Sequence, residues 1–114
     1  MRKILLAAGC AALFASTTAV AADPAAGKEK SKTCAACHGP DGNSPAPDFP
    51  RLAGQHQDYL AKALSDYKAG ARKNPVMAPQ AATLSKRDIA DLAAYFSQQQ
   101  GLALHGVEQK SGGR

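Results

Sequence analysis

Between Asp23 and Arg114 the chain carries 16 large apolar or Tyr side chains, from Phe49 to Val107, alongside 17 alanines. So few bulky groups make a thin core. A domain of this size buries only a modest share of its surface and usually needs a disulfide, a metal or another staple to be stable. Cys34 and Cys37 are the obvious place to look for one. The total length of 114 residues allows one small domain and excludes a multidomain architecture.

Residues 1–22 read as an export signal. Arg2 and Lys3 precede an uncharged run from Ile4 to Ala22 that closes on Ala19-Val20-Ala21, which gives a basic start, an apolar middle and a small-residue cleavage site. The run is rich in Ala, Ser and Thr and about as short as a bilayer-spanning helix can be, which disfavours a membrane anchor. A lipoprotein box at Leu6–Cys10 would leave an apolar segment of only about six residues, below the usual length. Removal of residues 1–22 lowers the formal charge from +5 to +3, with 12 basic and 9 acidic side chains remaining. That small excess withdraws most support from a nucleic-acid partner.

Asp23 followed by Pro24 is an N-cap with proline at the first helical position, and the first helix is expected to run to about Cys34. Four prolines and two glycines between Gly39 and Pro50 predict a loop. Leu60, Ala63, Leu64 and Tyr67 form a helical stripe, and Gly70 sits where a C-terminal cap belongs, which predicts a helix over Gln57–Ala69. Pro75 and Pro79 predict a stiffened, non-helical loop around Met77. Ser85 and Asp88 form a capping pattern for a third main helix that presents Ile89, Leu92, Ala93 and Phe96 on one face and ends near Gly101. No strand pattern is present, so the fold class is all-α, with a domain over 23–101 and a polar, glycine-rich tail over 102–114.

Cys34-Ala35-Ala36-Cys37-His38 has the spacing of a c-type haem attachment site. Two thiols two residues apart can form thioethers with the two vinyl groups of one porphyrin, and His38 then falls beneath the iron. Export agrees with this reading, because c-type haem is attached outside the cytoplasmic membrane. A disulfide of the redox-exchange type normally accompanies a βαβ pattern that is missing here. A zinc site needs four ligands, and beyond this motif the chain offers only His56 and His105, without matching spacing. For the second face of the iron, Met77 is the one methionine besides Met1, and a thioether there favours ferrous iron. His56, before the second helix, and His105, in the tail, are the rival sixth ligands; the ordinary role of each is a surface imidazole.

Together the segments CAACHG from Cys34, FPRLAGQ from Phe49, PVMAP from Pro75 and DIADLAAYF from Asp88 resemble a class I cytochrome c. The likeness covers residues 24–100 and is to the small soluble bacterial kind, similar to one half of a dihaem cytochrome c. It implies helices and loops wrapped around one covalently attached haem c. It also implies that the Pro50 carbonyl orients His38, that Leu52 packs on the haem, and that Gly27 crosses Tyr95 or Phe96 where the first and last helices meet. Tyr59 and Tyr67 either line the pocket or play ordinary core and surface roles. Arg51, Lys62, Lys68, Arg72, Lys73, Lys86 and Arg87 either guide an acidic partner or are simply solvated, with the second reading favoured.

The function expected is periplasmic electron transfer between respiratory redox proteins, with transient contact at most with membrane complexes. No nucleic acid, small-molecule substrate or catalytic residue is expected. The alternatives are a haem enzyme or gas sensor, which requires an open or labile sixth position, and a cytochrome subunit held in a membrane complex.

Overall fold

The structure is a computed structural model and describes residues 21–101. The expected signal segment, except for its last two residues, and the expected tail lie outside the described residues, as does His105. Five helices follow one another: α1 (Pro24–Lys30), α2 (Lys32–His38), α3 (Gln57–Ala69), α4 (Met77–Ala82) and α5 (Lys86–Ser97). No strand occurs among the described residues.

The first expected helix is two. Asp23 caps α1 by accepting the Ala25 and Ala26 N–H groups, with Pro24 in the first turn as the sequence predicts. At Ser31 the backbone turns, and the hydroxyl donates to the Lys28 carbonyl at 2.8 Å. Such back-bonding offers the main chain an alternative to the helical ladder and bends it. Beyond this joint α2 continues past Cys34 to His38 and stops at Gly39, whose φ is +81°. The whole Cys34–His38 motif is therefore helical.

Helix α3 has the predicted bounds, with Gly70 in the left-handed conformation at its C-cap. Helix α5 starts on the predicted capping box: Ser85 accepts the Asp88 N–H while the Asp88 carboxylate accepts the Ser85 N–H. It ends at Ser97 rather than near Gly101, because the last turn closes on tight bonds from Gln98 N–H to the Tyr95 and Phe96 carbonyls. Seven of its twelve residues are buried, Ile89 and Asp91 through Phe96, which makes α5 the spine of the molecule.

α1 crosses α5 at Gly27. A Cβ on Gly27 would meet the Asp91 carbonyl group and come within 2.8 Å of Tyr95 Cβ, so only glycine permits the approach. Of the two partners that the resemblance implied, Tyr95 is among the nearest neighbours of Gly27. On the other side of α5, Leu60 from α3 joins Leu92, Ala93, Tyr95 and Phe96 in the core cluster, with Cys34, Leu52 and Leu64 packed against it.

Met77 corrects the sequence expectation. It is the first residue of α4, not part of a non-helical loop. Proline is tolerated in a first helical turn because its missing N–H has no intrahelical partner there, and Pro79 occupies such a position. The Asn74 side-chain oxygen accepts the Val76 and Met77 N–H groups at 2.9 and 3.0 Å and so serves the exposed start of the helix.

Candidate functional site

Between α2, α3, α4 and α5 lies a cleft with mostly apolar walls. Cys34 and His38 enter it from α2, Leu64 and Tyr67 from α3, Met77 from the start of α4, and Leu92 and Phe96 from α5. Pro50 and Leu52 close it from the proline-rich loop. Thus Cys34, His38, Pro50, Leu52 and Met77, far apart in sequence, line one cavity. Cys37 is half-buried on the same helix and does not line the cleft itself.

His38 is buried, and its Nδ1 lies 2.8 Å from the Pro50 carbonyl oxygen. A carbonyl can only accept, so in the neutral ring Nδ1 carries the proton and donates. The lone pair is then left on Nε2. The Phe49 ring stands edge-on to the imidazole with centroids 6.5 Å apart, a further restraint on its orientation.

Ladders of hydrogen bonds hold the loop that delivers Pro50. Gly42, at φ +82°, accepts the Leu52 N–H at 2.8 Å and the Ala53 N–H at 3.2 Å; a Cβ here would collide with Ala53 N and Phe96. Gly54 N–H donates to the Phe96 carbonyl, and the Tyr95 hydroxyl donates to the Pro40 carbonyl at 2.9 Å. Composition marks this stretch as irregular. Its shape is fixed by its own bonds at Gly42 and by Tyr95 and Phe96 of α5, each more than forty residues after its partner in the loop.

The two cysteines sit three residues apart on a helix, hence on neighbouring positions of its surface. Neither is joined to the other in a disulfide. Burial pushes the Cys34 thiol up from its ordinary value, keeping it neutral rather than a thiolate at neutral pH. A half-buried neutral thiol, a buried imidazole with a free Nε2 and a thioether thus line one apolar cleft, and the imidazole nitrogen and thioether sulfur are the donors it offers a metal.

The rival His56 does not enter this cavity. It is exposed at the N-cap of α3, in a separate shallow depression with Asp58, Tyr59 and Lys62. Tyr59 and Tyr67 both line the main cleft, Tyr59 at 50% exposure. Arg72 lines it too: its guanidinium lies 4.9 Å from the Tyr67 ring centroid and donates to the Tyr59 hydroxyl at 3.4 Å. Sequence reading grouped Arg72 with solvated surface charges; its fixed distance after Tyr67, just past a helix-capping glycine, is the signal that places it here. Among the other basic residues, Lys62 pairs with Asp66 and Arg87 with Asp91.

The chain matches the family model for cytochrome c over residues 24–100. The chain belongs to the cytochrome c family. It is 53% identical over 79 residues to cytochrome c4 of Pseudomonas aeruginosa, covering 69% of this chain and 39% of that protein. It is 48% identical over 83 residues to cytochrome c-554(548) of Halomonas halodenitrificans, covering 70% of this chain and all of the relative. The crystal structure of reduced recombinant cytochrome c4 from Pseudomonas stutzeri superposes with a TM-score of 0.68 at 50% identity, over 71% of this chain and 47% of that one. The chain therefore spans about half the length or less of its cytochrome c4 relatives and the full length of the c-554(548) relative.

The fold is that of a class I cytochrome c, and the cofactor of this cytochrome is one covalently attached haem c. The cleft fits that group on its own evidence: apolar walls to cover a porphyrin, an imidazole locked in the tautomer that presents Nε2, and sulfur donors.

Proposed function

We propose that the protein is a single-haem electron carrier of the periplasm, passing one electron at a time between respiratory redox proteins, with no catalytic residue and no small-molecule substrate. Residues 1–22 serve as a cleaved export signal, 23–101 as the carrier domain and 102–114 as a tail. In this reading Cys34 and Cys37 are the thioether anchors, and His38 and Met77 are the axial ligands. Leu52 packs on the porphyrin, and the Pro50 carbonyl orients the His38 ring. The observation that carries the reading is that Met77 lines the same apolar cleft as a buried His38 whose Nδ1 is bonded to the Pro50 carbonyl.

Bound haem supplies a reversible one-electron couple between ferrous and ferric iron. The residues of the chain keep that couple fast and free of side reactions. His38 is held by the carbonyl behind it and by the Phe49 ring, so its position need not change with the charge on the metal. The Met77 thioether is soft and favours the ferrous state, and with both faces closed small ligands are shut out. Leu64, Leu92 and Phe96 exclude water from the cleft interior.

The test is the visible spectrum of the reduced protein with and without carbon monoxide. Wild type binds the gas negligibly near neutral pH and shows one reversible one-electron wave at an electrode. Met77→Ala lowers the potential and makes carbon monoxide binding readily detectable, whereas His56→Ala and His105→Ala leave both properties nearly unchanged. Rapid binding by the wild-type ferrous protein would instead establish an open sixth position, and with it the sensor or enzyme reading.

A further inference from the structure

The segment that carries Met77 cannot hold itself in place. α4 has six residues, well below the length at which an isolated helix is stable. Both of its ends are instead served by side chains from outside the element. At the start, Asn74 accepts from three consecutive N–H groups: Val76 at 2.9 Å and Met77 at 3.0 Å on its side-chain oxygen, and Ala78 at 2.9 Å on its carbonyl. At the end, the Lys68 ammonium, projecting from the last turn of α3, donates to the carbonyls of Ala82 at 3.1 Å and Leu84 at 2.5 Å. Cations at a helix C-terminus satisfy carbonyls that have no intrahelical donor.

We propose that Asn74 and Lys68 are positioning residues for Met77, clamping α4 at its two ends and setting how readily the thioether leaves its place in the cleft. The proposal rests on the reading of Met77 as an axial ligand. One of the Asn74 bonds ends on the Met77 N–H itself, so the backbone of this residue cannot move away without breaking it. Lys68 couples the other end to α3, the helix that also carries Leu64 and Tyr67 into the cleft.

An added ligand can bind only where Met77 has left, so its apparent affinity scales with the fraction of molecules in that state. Loss of a side-chain helix cap costs about 1 kcal/mol, equivalent to about a fivefold change in that fraction. The experiment is a titration of the ferric holoprotein with imidazole, followed in the visible spectrum, beside amide hydrogen exchange at Val76 and Met77. Asn74→Ala is expected to bind imidazole about fivefold more tightly and to exchange both amides faster, whereas Asn74→Asp, which keeps the acceptor oxygen, stays near wild type. Lys68→Met, on an exposed side chain, tightens imidazole roughly two- to tenfold, the range of one net hydrogen bond; Lys62→Met, which loses only the pair with Asp66 within α3, does not.

Met77→Ala separates the two layers of the argument. If it tightens imidazole strongly while Asn74→Ala and Lys68→Met match wild type, Met77 is the ligand and the clamp is refuted. If Met77→Ala itself changes nothing, the ligand reading fails. Where Asn74→Ala does not fold around haem, Lys68→Met decides: unchanged imidazole affinity overturns the clamp and tightened affinity supports it.

Discussion

Gly27 shows how one missing atom fixes the crossing of two helices. With hydrogen in place of a side chain, α1 lies directly on the backbone of α5; a methyl would meet Asp91 C at 2.6 Å and Tyr95 Cβ at 2.8 Å. Two helix backbones cannot give way as a flexible side chain can. Gly27→Ala is therefore expected to destabilise the holoprotein by about 1–3 kcal/mol, measured by thermal or denaturant unfolding, although alanine is the better helix former. A rise in stability would mean that α1 can slide on α5. Gly101, which the sequence reading took as the end of α5, instead lies against Asn43 and Ala53, four residues past the end of that helix.

At the scale of elements, the sequence was legible wherever local chemistry decides. The stripe and Gly70 of α3, the cap of α1 and the capping box of α5 are each written within a few residues. The split at Ser31 and the helicity of Met77 were not, because both turn on side-chain bonds to the backbone, from Ser31 and Asn74, that compete with coarser proline and propensity rules. The crossing of α1 with α5 at Gly27 is implied by the family resemblance, but the polar network that ties it is not. The buried Asp91 carboxylate accepts from the Asp23 N–H at 2.8 Å, Lys30 at 2.7 Å and Arg87 at 3.0 Å, while Lys30 also pairs with Asp88 at 2.9 Å. Bonds from Lys30 and from Ser85 hold the Asp88 carboxyl down at about 2, and the Asp23 N–H with Lys30 lowers Asp91 as well. Carboxyls depressed on folding stabilise the native state above their unfolded value near 4 and lose that contribution as the pH falls through their folded values. Stability is thus expected to fall between about pH 4 and pH 2. In Asp88→Asn the fall should be shallower over the same range in acid denaturation followed by circular dichroism; an unchanged slope would remove Asp88 from the account.

Across the whole molecule, the large buried apolar side chains among the described residues are Leu60, Ile89, Leu92, Tyr95 and Phe96. Four of these five belong to α5, so the core is a single helix with neighbours rather than a filled interior. Leu52, Leu64, Tyr67 and Met77 are only partly buried and line the cleft, where a porphyrin would cover them. Within the holoprotein Leu92→Ala should cost about 2–5 kcal/mol, the range for a large buried aliphatic residue. Removing the cofactor is a larger loss, because α2, α3 and α4 then share a cleft with nothing in it, and burial of apolar surface is what offsets the entropy of ordering them. A Cys34→Ser, Cys37→Ser variant that never acquires haem is accordingly expected to be largely unfolded by far-ultraviolet circular dichroism, with no cooperative melt. Among the described residues the junction of α1 on α5, tied by Gly27 and Asp91, does not run through the cleft, and residual helix in the variant should concentrate there. A full helical signal with a sharp transition would show that the polypeptide folds without its cofactor, and the thin core would then have to be sufficient after all.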